Sequence, residues 1–164
     1  MSSEAIESII ESGWPPKTFI RSITYADKIE GVLNDYIRQS IRRITEAEVE
    51  HDRHRRRYVK PGDKIIWHGW QGRPYRSPWS FRKAVIVTEA IPITMFKDGF
   101  LFWNDDDTKG NFELWDSPIM DEISRLDGIN PPTGVELGKV LWKLNGNYMK
   151  QNCLNFTRMQ IIRW

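Results

Sequence analysis

Arginine and tryptophan are the residue types in this chain whose spacing points to chemistry. From Arg38 to Lys60 the basic residues outnumber the acidic two to one, and every cation but Lys60 is an Arg, among them Arg38, Arg42 and Arg43. A guanidinium grips phosphate bidentately and lies flat on bases, so an Arg-dominated tract suits nucleic acid better than a Lys-rich one. The bland alternative is a solvated segment in which Glu46, Glu48 and Glu50 pair with Arg53–Arg57. A second candidate runs from Trp67 to Trp79, where Trp70, Tyr75 and Trp79 alternate with Arg73 and Arg76 on a segment punctuated by Gly69, Gly72, Pro74 and Pro78. Aromatic plates beside cations are what an unpaired base and its phosphate need. The alternative here is that the rings simply cap a core, and it fits Trp67 best, because that residue lies in a strand-like run.

Other chemistries find less support. His51, His54 and His68 make a poor metal set, since the first two sit among Arg residues that repel a cation. The lone Cys153 leaves no internal disulfide and no cysteine-based zinc site. It fits a reducing compartment, and with no secretory signal visible the expected location is the cytoplasm. Neither GxxxxGK[ST] nor GxGxxG occurs, and there is no G-x-S-x-G elbow. Asp105-Asp106-Asp107 lacks the glycine and glutamate of a calcium loop. No cofactor and no metal is expected. The chain is 28% charged with mean hydropathy −0.55, and its apolar runs are far too short to span a bilayer, so no membrane partner is expected.

The elements that position these side chains can be read from periodicity and punctuation. Ser3–Glu11 reads as a short helix stopped by Gly13 and Pro15-Pro16, an arm over residues 1–17. Strands are expected at Thr18–Thr24, Tyr36–Ile44, Lys64–His68, along Arg82–Met95, at Phe100–Trp103 and at Phe156–Trp164. Pro61-Gly62-Asp63 and Lys97-Asp98-Gly99 are turn signals, and Gly69–Ser80 reads as a loop or twisted hairpin tip. Asn104–Asn111 reads as an exposed polar loop. Helices are expected at Tyr25–Leu33, at Ser117–Leu126 with a serine cap, and at Thr133–Leu144. The predicted core is Phe19, Ile23, Ile41, Ile65, Val85, Val87, Ile93, Ile123 and Ile161. Strands with inserted helices give an α+β class, read as a small β-barrel with flanking helices and an N-terminal helical arm.

Several fragments then line up in one order: Lys28-Ile29-Glu30-Gly31, Arg38-Gln39-Ser40-Ile41-Arg42, Lys60-Pro61-Gly62-Asp63, Ile91-Pro92-Ile93, Leu126-Asp127-Gly128-Ile129 and Ile161-Ile162-Arg163-Trp164. This order resembles the ASCH domain family of the PUA-like superfamily, over residues 18–164 with a basic insertion at 45–59. The resemblance implies a PUA-like β-barrel with a basic cleft and a role in recognising RNA or modified nucleosides. Some members hydrolyse acetylcytidine with a Lys, a Thr and a Glu. Carried onto this chain, the Thr falls on Ser40, the acid on Asp127 and the Lys on Ile37. A protonated Arg38 next door is a poor general base. Ser40 without an activated partner is a weak nucleophile.

Three functions follow as expectations. The first is a non-catalytic RNA-binding module using Arg38, Ser40, Arg42, Arg43, Arg73, Tyr75, Arg76 and Trp79, its partner a single-stranded or structured RNA. The second is a hydrolase or ribonuclease acting on RNA or a nucleoside, with Ser40 and Asp127 as catalytic residues and His68 as an acid or base. The third is a protein-interaction module docking through the Trp-rich loop.

Overall fold

The computed structural model describes residues 15–24, 26–44, 58–104 and 108–164. The expected helix at 3–11 and almost all of the basic insertion lie outside the described residues, as do His51 and His54. The element order is β1 (Thr18–Ser22), α1 (Ala26–Leu33), β2 (Gln39–Arg43), β3 (Lys64–Trp70), β4 (Trp79–Ile86), β5 (Glu89–Phe96), β6 (Gly99–Trp103), β7 (Lys109–Leu114), α2 (Pro118–Leu126), α3 (Gly134–Gln151) and β8 (Phe156–Arg163). The class is α+β, with most elements strands. The described residues fall into two compact units, one drawn from Met1–Gln39, Val59–Ala90 and Ile162–Trp164, the other from Ser40–Tyr58 and Ile91–Ile161.

The first unit is built on a three-stranded sheet in the order β1-β3-β4, with β1 parallel to β3 and β4 antiparallel to it. The register sets Phe19 opposite Ile65 and Ile65 opposite Val85, so these three share one face with Trp67 two residues on. That face is the buried one. Phe19, Ile65 and Trp67 cluster there with Ile23, Val32, Ile37, Val59, Val87 and Ile162. The Trp67 and Trp164 rings meet at 5.1 Å between centroids.

The turn before β3 carries its own lock. Gly62 takes φ +90°, a conformation glycine adopts without strain. The Asp63 side chain, almost fully buried, accepts from the Lys60 backbone N–H at 2.8 Å and from the Lys17 backbone N–H at 2.9 Å. Its backbone carbonyl accepts from Val87 N–H, and the Val87 carbonyl accepts from Gly62 N–H, both at 2.8 Å. One residue thus ties the chain before β1, the turn itself and the end of β4. Asp63→Ala is expected to lower stability by about 3 kcal/mol in urea unfolding, because two part-buried charge-assisted bonds to the backbone are lost. A loss below about 1 kcal/mol would show that the turn holds without its carboxylate.

The second unit carries the five-stranded sheet β2-β8-β5-β6-β7, apart from end residues of β2, β5 and β8. Phe96 pairs with Gly99 across the two-residue turn Lys97-Asp98. Pro92 lies inside β5 but ahead of the β6 ladder, which begins at Ile93 and Phe102, so its missing N–H interrupts no bond to β6. The core gathers Ile41, Ile93, Met95, Phe100, Met120, Ile123, Leu137, Leu141, Met149, Met159 and Ile161. Every residue of the predicted core is buried except Val85, which is half-buried.

Three sequence expectations need correction. Residues 109–111, read as the end of the polar loop Asn104–Asn111, instead open β7, which runs on to Leu114. It is an edge strand with Lys109, Asn111, Phe112 and Leu114 exposed, so no alternation of apolar residues announces it. The last long helix runs to Gln151 rather than Leu144. Its buried stripe is Leu137, Leu141, Asn145 and Met149, and Asn145 satisfies itself by donating to the Leu141 carbonyl at 2.8 Å, so a polar residue sits where an apolar one was sought. At α2, Ser117 holds the extended cap conformation, yet its hydroxyl makes no cap hydrogen bond. Pro118 and Gly128, the latter at φ +79°, mark the two ends of α2 as expected. No helix among the described residues is long and apolar enough to cross a membrane.

Candidate functional site

The β3–β4 hairpin brings the aromatic and basic residues together. Lys64, Arg73, Arg76, Arg82 and Lys83 are the only charged residues from 64 to 88, a stretch with no carboxylate. Lys83 pairs with Asp35 at 3.0 Å. Arg73, Arg76 and Arg82 are exposed and pair with no carboxylate among the described residues.

A β-bulge organises the rings. His68 lies opposite Arg82, whereas Trp70 lies opposite Trp79, so two steps along β3 match three along β4. In a regular strand, Trp79 and Arg82 would point to opposite faces. The extra residue on β4 turns Trp79 onto the face that His68 and Arg82 share. The His68 and Trp79 rings then stack with centroids 4.3 Å apart and planes 15° apart. Trp70 meets His68 edge-on at 5.0 Å, and Tyr75 leans toward Trp70 at 5.3 Å. Gly69 stands inside the bulge because Phe81 Cε1 and Ser80 Oγ would lie 2.7 Å from any Cβ there.

The set is graded in exposure. His68 is buried at 5%, Trp79 is 37% exposed and Tyr75 is 90% exposed. His68 is therefore a base plate for Trp79, and its Nδ1 has no hydrogen-bond partner among the described residues. Trp67 is fully buried, and its ring belongs to the core of the first unit. The Trp67–Trp79 segment thus divides between both sequence readings: Trp67 packs, while Tyr75 and part of Trp79 face solvent.

The remaining expected site residues sit elsewhere. Arg38, exposed in the first unit, donates from Nε to the Asp35 carbonyl at 2.9 Å. Ser40, Arg42, Arg43 and Asp127 belong to the second unit. Ser40 is 1% exposed, and its hydroxyl accepts from Arg42 Nε at 3.1 Å. A guanidinium donor withdraws electron density from that oxygen and cannot take its proton, so this contact does nothing to make Ser40 a nucleophile. The Arg43 guanidinium lies over the Tyr148 ring at 3.5 Å, a cation–π contact within the unit. Asp127 is buried just beyond α2, its backbone N–H bonded to the Ile123 carbonyl.

Sequence reasoning missed one network. Arg163 Nε donates to the buried Gln39 Oε1 at 3.0 Å, and its Nη1 pairs with Glu89 at 3.1 Å. Both Gln39 and Arg163 stand in the short motifs quoted above, so the signal was present, but their role here is to tie the start of β2 to the end of β8. The carboxylate-free run from 64 to 88 was equally readable. No group of three or more His, Cys, Asp or Glu side chains is gathered for a metal among the described residues. Comparison with known proteins returns no matching family model, no matching curated protein and no matching solved structure.

Proposed function

We propose that this chain is an RNA-binding module of the ASCH kind, on a PUA-like β-barrel, and that it takes single-stranded RNA on the β3–β4 hairpin. The observation that carries this reading is the joint placement of Tyr75 and Trp79 beside Arg73, Arg76 and Arg82, on a stretch with no carboxylate to neutralise them. Single-stranded RNA offers the two complements that such a surface needs. Its unpaired bases stack on aromatic rings, and its phosphates pair with guanidinium groups. A duplex keeps its bases stacked inward, so it engages only the cations. The binding face therefore favours an unpaired strand. Tyr75 and Trp79 supply stacking, while Arg73, Arg76 and Arg82 supply phosphate contacts.

The proposal needs no catalytic step. Ser40 is engaged by Arg42, and Ile37 stands where the resembled hydrolases carry a lysine. The test is equilibrium binding of labelled single-stranded RNA against duplex RNA of the same length. Single-stranded RNA is expected to bind at least about 10-fold more tightly, the worth of one to two stacked bases. Equal affinity for the two forms would contradict the stacking half of the reading.

A further inference from the structure

The loop that joins β3 to β4 is stapled throughout. Gln71 N–H donates to the Pro78 carbonyl at 2.9 Å, and Gln71 Nε2 to the Trp79 carbonyl at 3.2 Å. Gly72 N–H donates to Ser77 Oγ at 3.0 Å, and that hydroxyl donates in turn to the Arg73 carbonyl at 2.9 Å. Arg76 N–H closes a four-residue turn on the same Arg73 carbonyl at 3.1 Å. Pro74 holds the second position of this turn, and its ring excludes the mirror-image turns. Of the two turns that remain, types I and II, only type II carries positive φ at the third position, and that position favours glycine. Here it is Tyr75, at φ +63°.

A bulky aromatic in the left-handed region is strained. Ordinarily, packing would offset such strain. Tyr75 remains 90% exposed, so its approach to Trp70 covers little of it. Its neighbours on both sides supply charge: Arg73 and Arg76 are its flanks in the turn.

We infer that Tyr75 is a base-stacking residue held in a strained, preorganised turn, there to receive one unpaired nucleobase whose flanking phosphates meet Arg73 and Arg76. The inference rests on the RNA-binding reading above and names its contact atom group. The stapled turn fixes the backbone that carries the ring before the ligand arrives, so the loop itself loses little conformational freedom on binding. The strain lowers the stability of the folded chain and serves the ligand alone.

The full chain and its Tyr75→Gly, Tyr75→Ala and Tyr75→Phe variants test this, with thermal midpoint and affinity for fluorescein-labelled octauridylate as the two readings. Glycine relieves the strain and alanine does not, so the glycine variant is expected to melt no lower than the parent and about 2–4 °C above the alanine variant. Both are expected to bind octauridylate about 10-fold more weakly, while the phenylalanine variant stays within about 2-fold of the parent. A glycine variant that binds like the parent overturns the inference and leaves the wider reading standing. A glycine variant that melts as low as the alanine variant also overturns it, because the turn would then hold no strain for glycine to relieve. A parent chain that binds no octauridylate at low salt overturns both.

Discussion

Trp67→Ala is expected to destabilise the first unit by about 3–5 kcal/mol, the range for deleting a buried aromatic ring from a packed core. Trp67 is fully buried, shares its sheet face with Phe19 and Ile65, and meets Trp164 at 5.1 Å. Its removal leaves a cavity bounded by strands, whose ladders resist collapse. Since a domain of this size is stable by only about 5–15 kcal/mol, the variant should populate unfolded chain at moderate temperature. Trp67→Phe keeps most of the volume and is expected to lose about half as much. Urea unfolding followed by far-ultraviolet circular dichroism reads both. A loss under about 1 kcal/mol for the alanine variant would mean that the two-tryptophan contact is not part of a tight core.

The second large effect concerns binding. Replacing Arg73 and Arg76 together by alanine is expected to weaken single-stranded RNA binding about 30-fold at low salt, with about 1 kcal/mol lost per phosphate contact. The thermal midpoint should scarcely move, because both side chains are exposed and pair with no carboxylate among the described residues. The log–log dependence of affinity on salt should also become shallower by about 1.4, or 0.7 for each phosphate contact removed. This slope separates electrostatic loss from misfolding. A misfolded loop would lower affinity through lost stacking as well, without moving the slope by that amount. An unchanged affinity would place the RNA surface elsewhere.

How far the sequence could be read differs from element to element. Turn chemistry was plain: Pro61-Gly62-Asp63 and Lys97-Asp98-Gly99 both sit at turns, and Gly128 follows the end of α2. The apolar positions Phe19, Ile41, Ile65, Ile93 and Ile161 were equally legible, because burial follows residue type closely in a chain this size. β7 was not, since an edge strand exposed on both faces carries no clear alternation. The full length of α3 was hidden by Asn145, whose polarity is satisfied inside its own helix. At the candidate site, residue identities were visible and their geometry was not. The sequence shows Trp79 and Arg82 three apart, an odd spacing that places them on opposite faces of a regular strand. Only the bulge opposite Gly69 brings both to the face of His68. Nor does the sequence disclose that Tyr75 occupies a glycine position, since that follows from its φ of +63° in the turn closed by Arg76 and Arg73.

The central claim is that this hairpin holds RNA by combining stacking with phosphate contacts. The most direct measurement is fluorescence anisotropy of the parent chain with labelled single-stranded RNA across a salt series. The account predicts tight binding at low salt and a log–log slope near about −2, from phosphate contacts by Arg73, Arg76 and Arg82 at ~0.7 each. It also predicts residual binding at high salt, carried by Tyr75 and Trp79, whose stacking is only weakly screened. No binding at the lowest salt, or an affinity indifferent to salt, would contradict it.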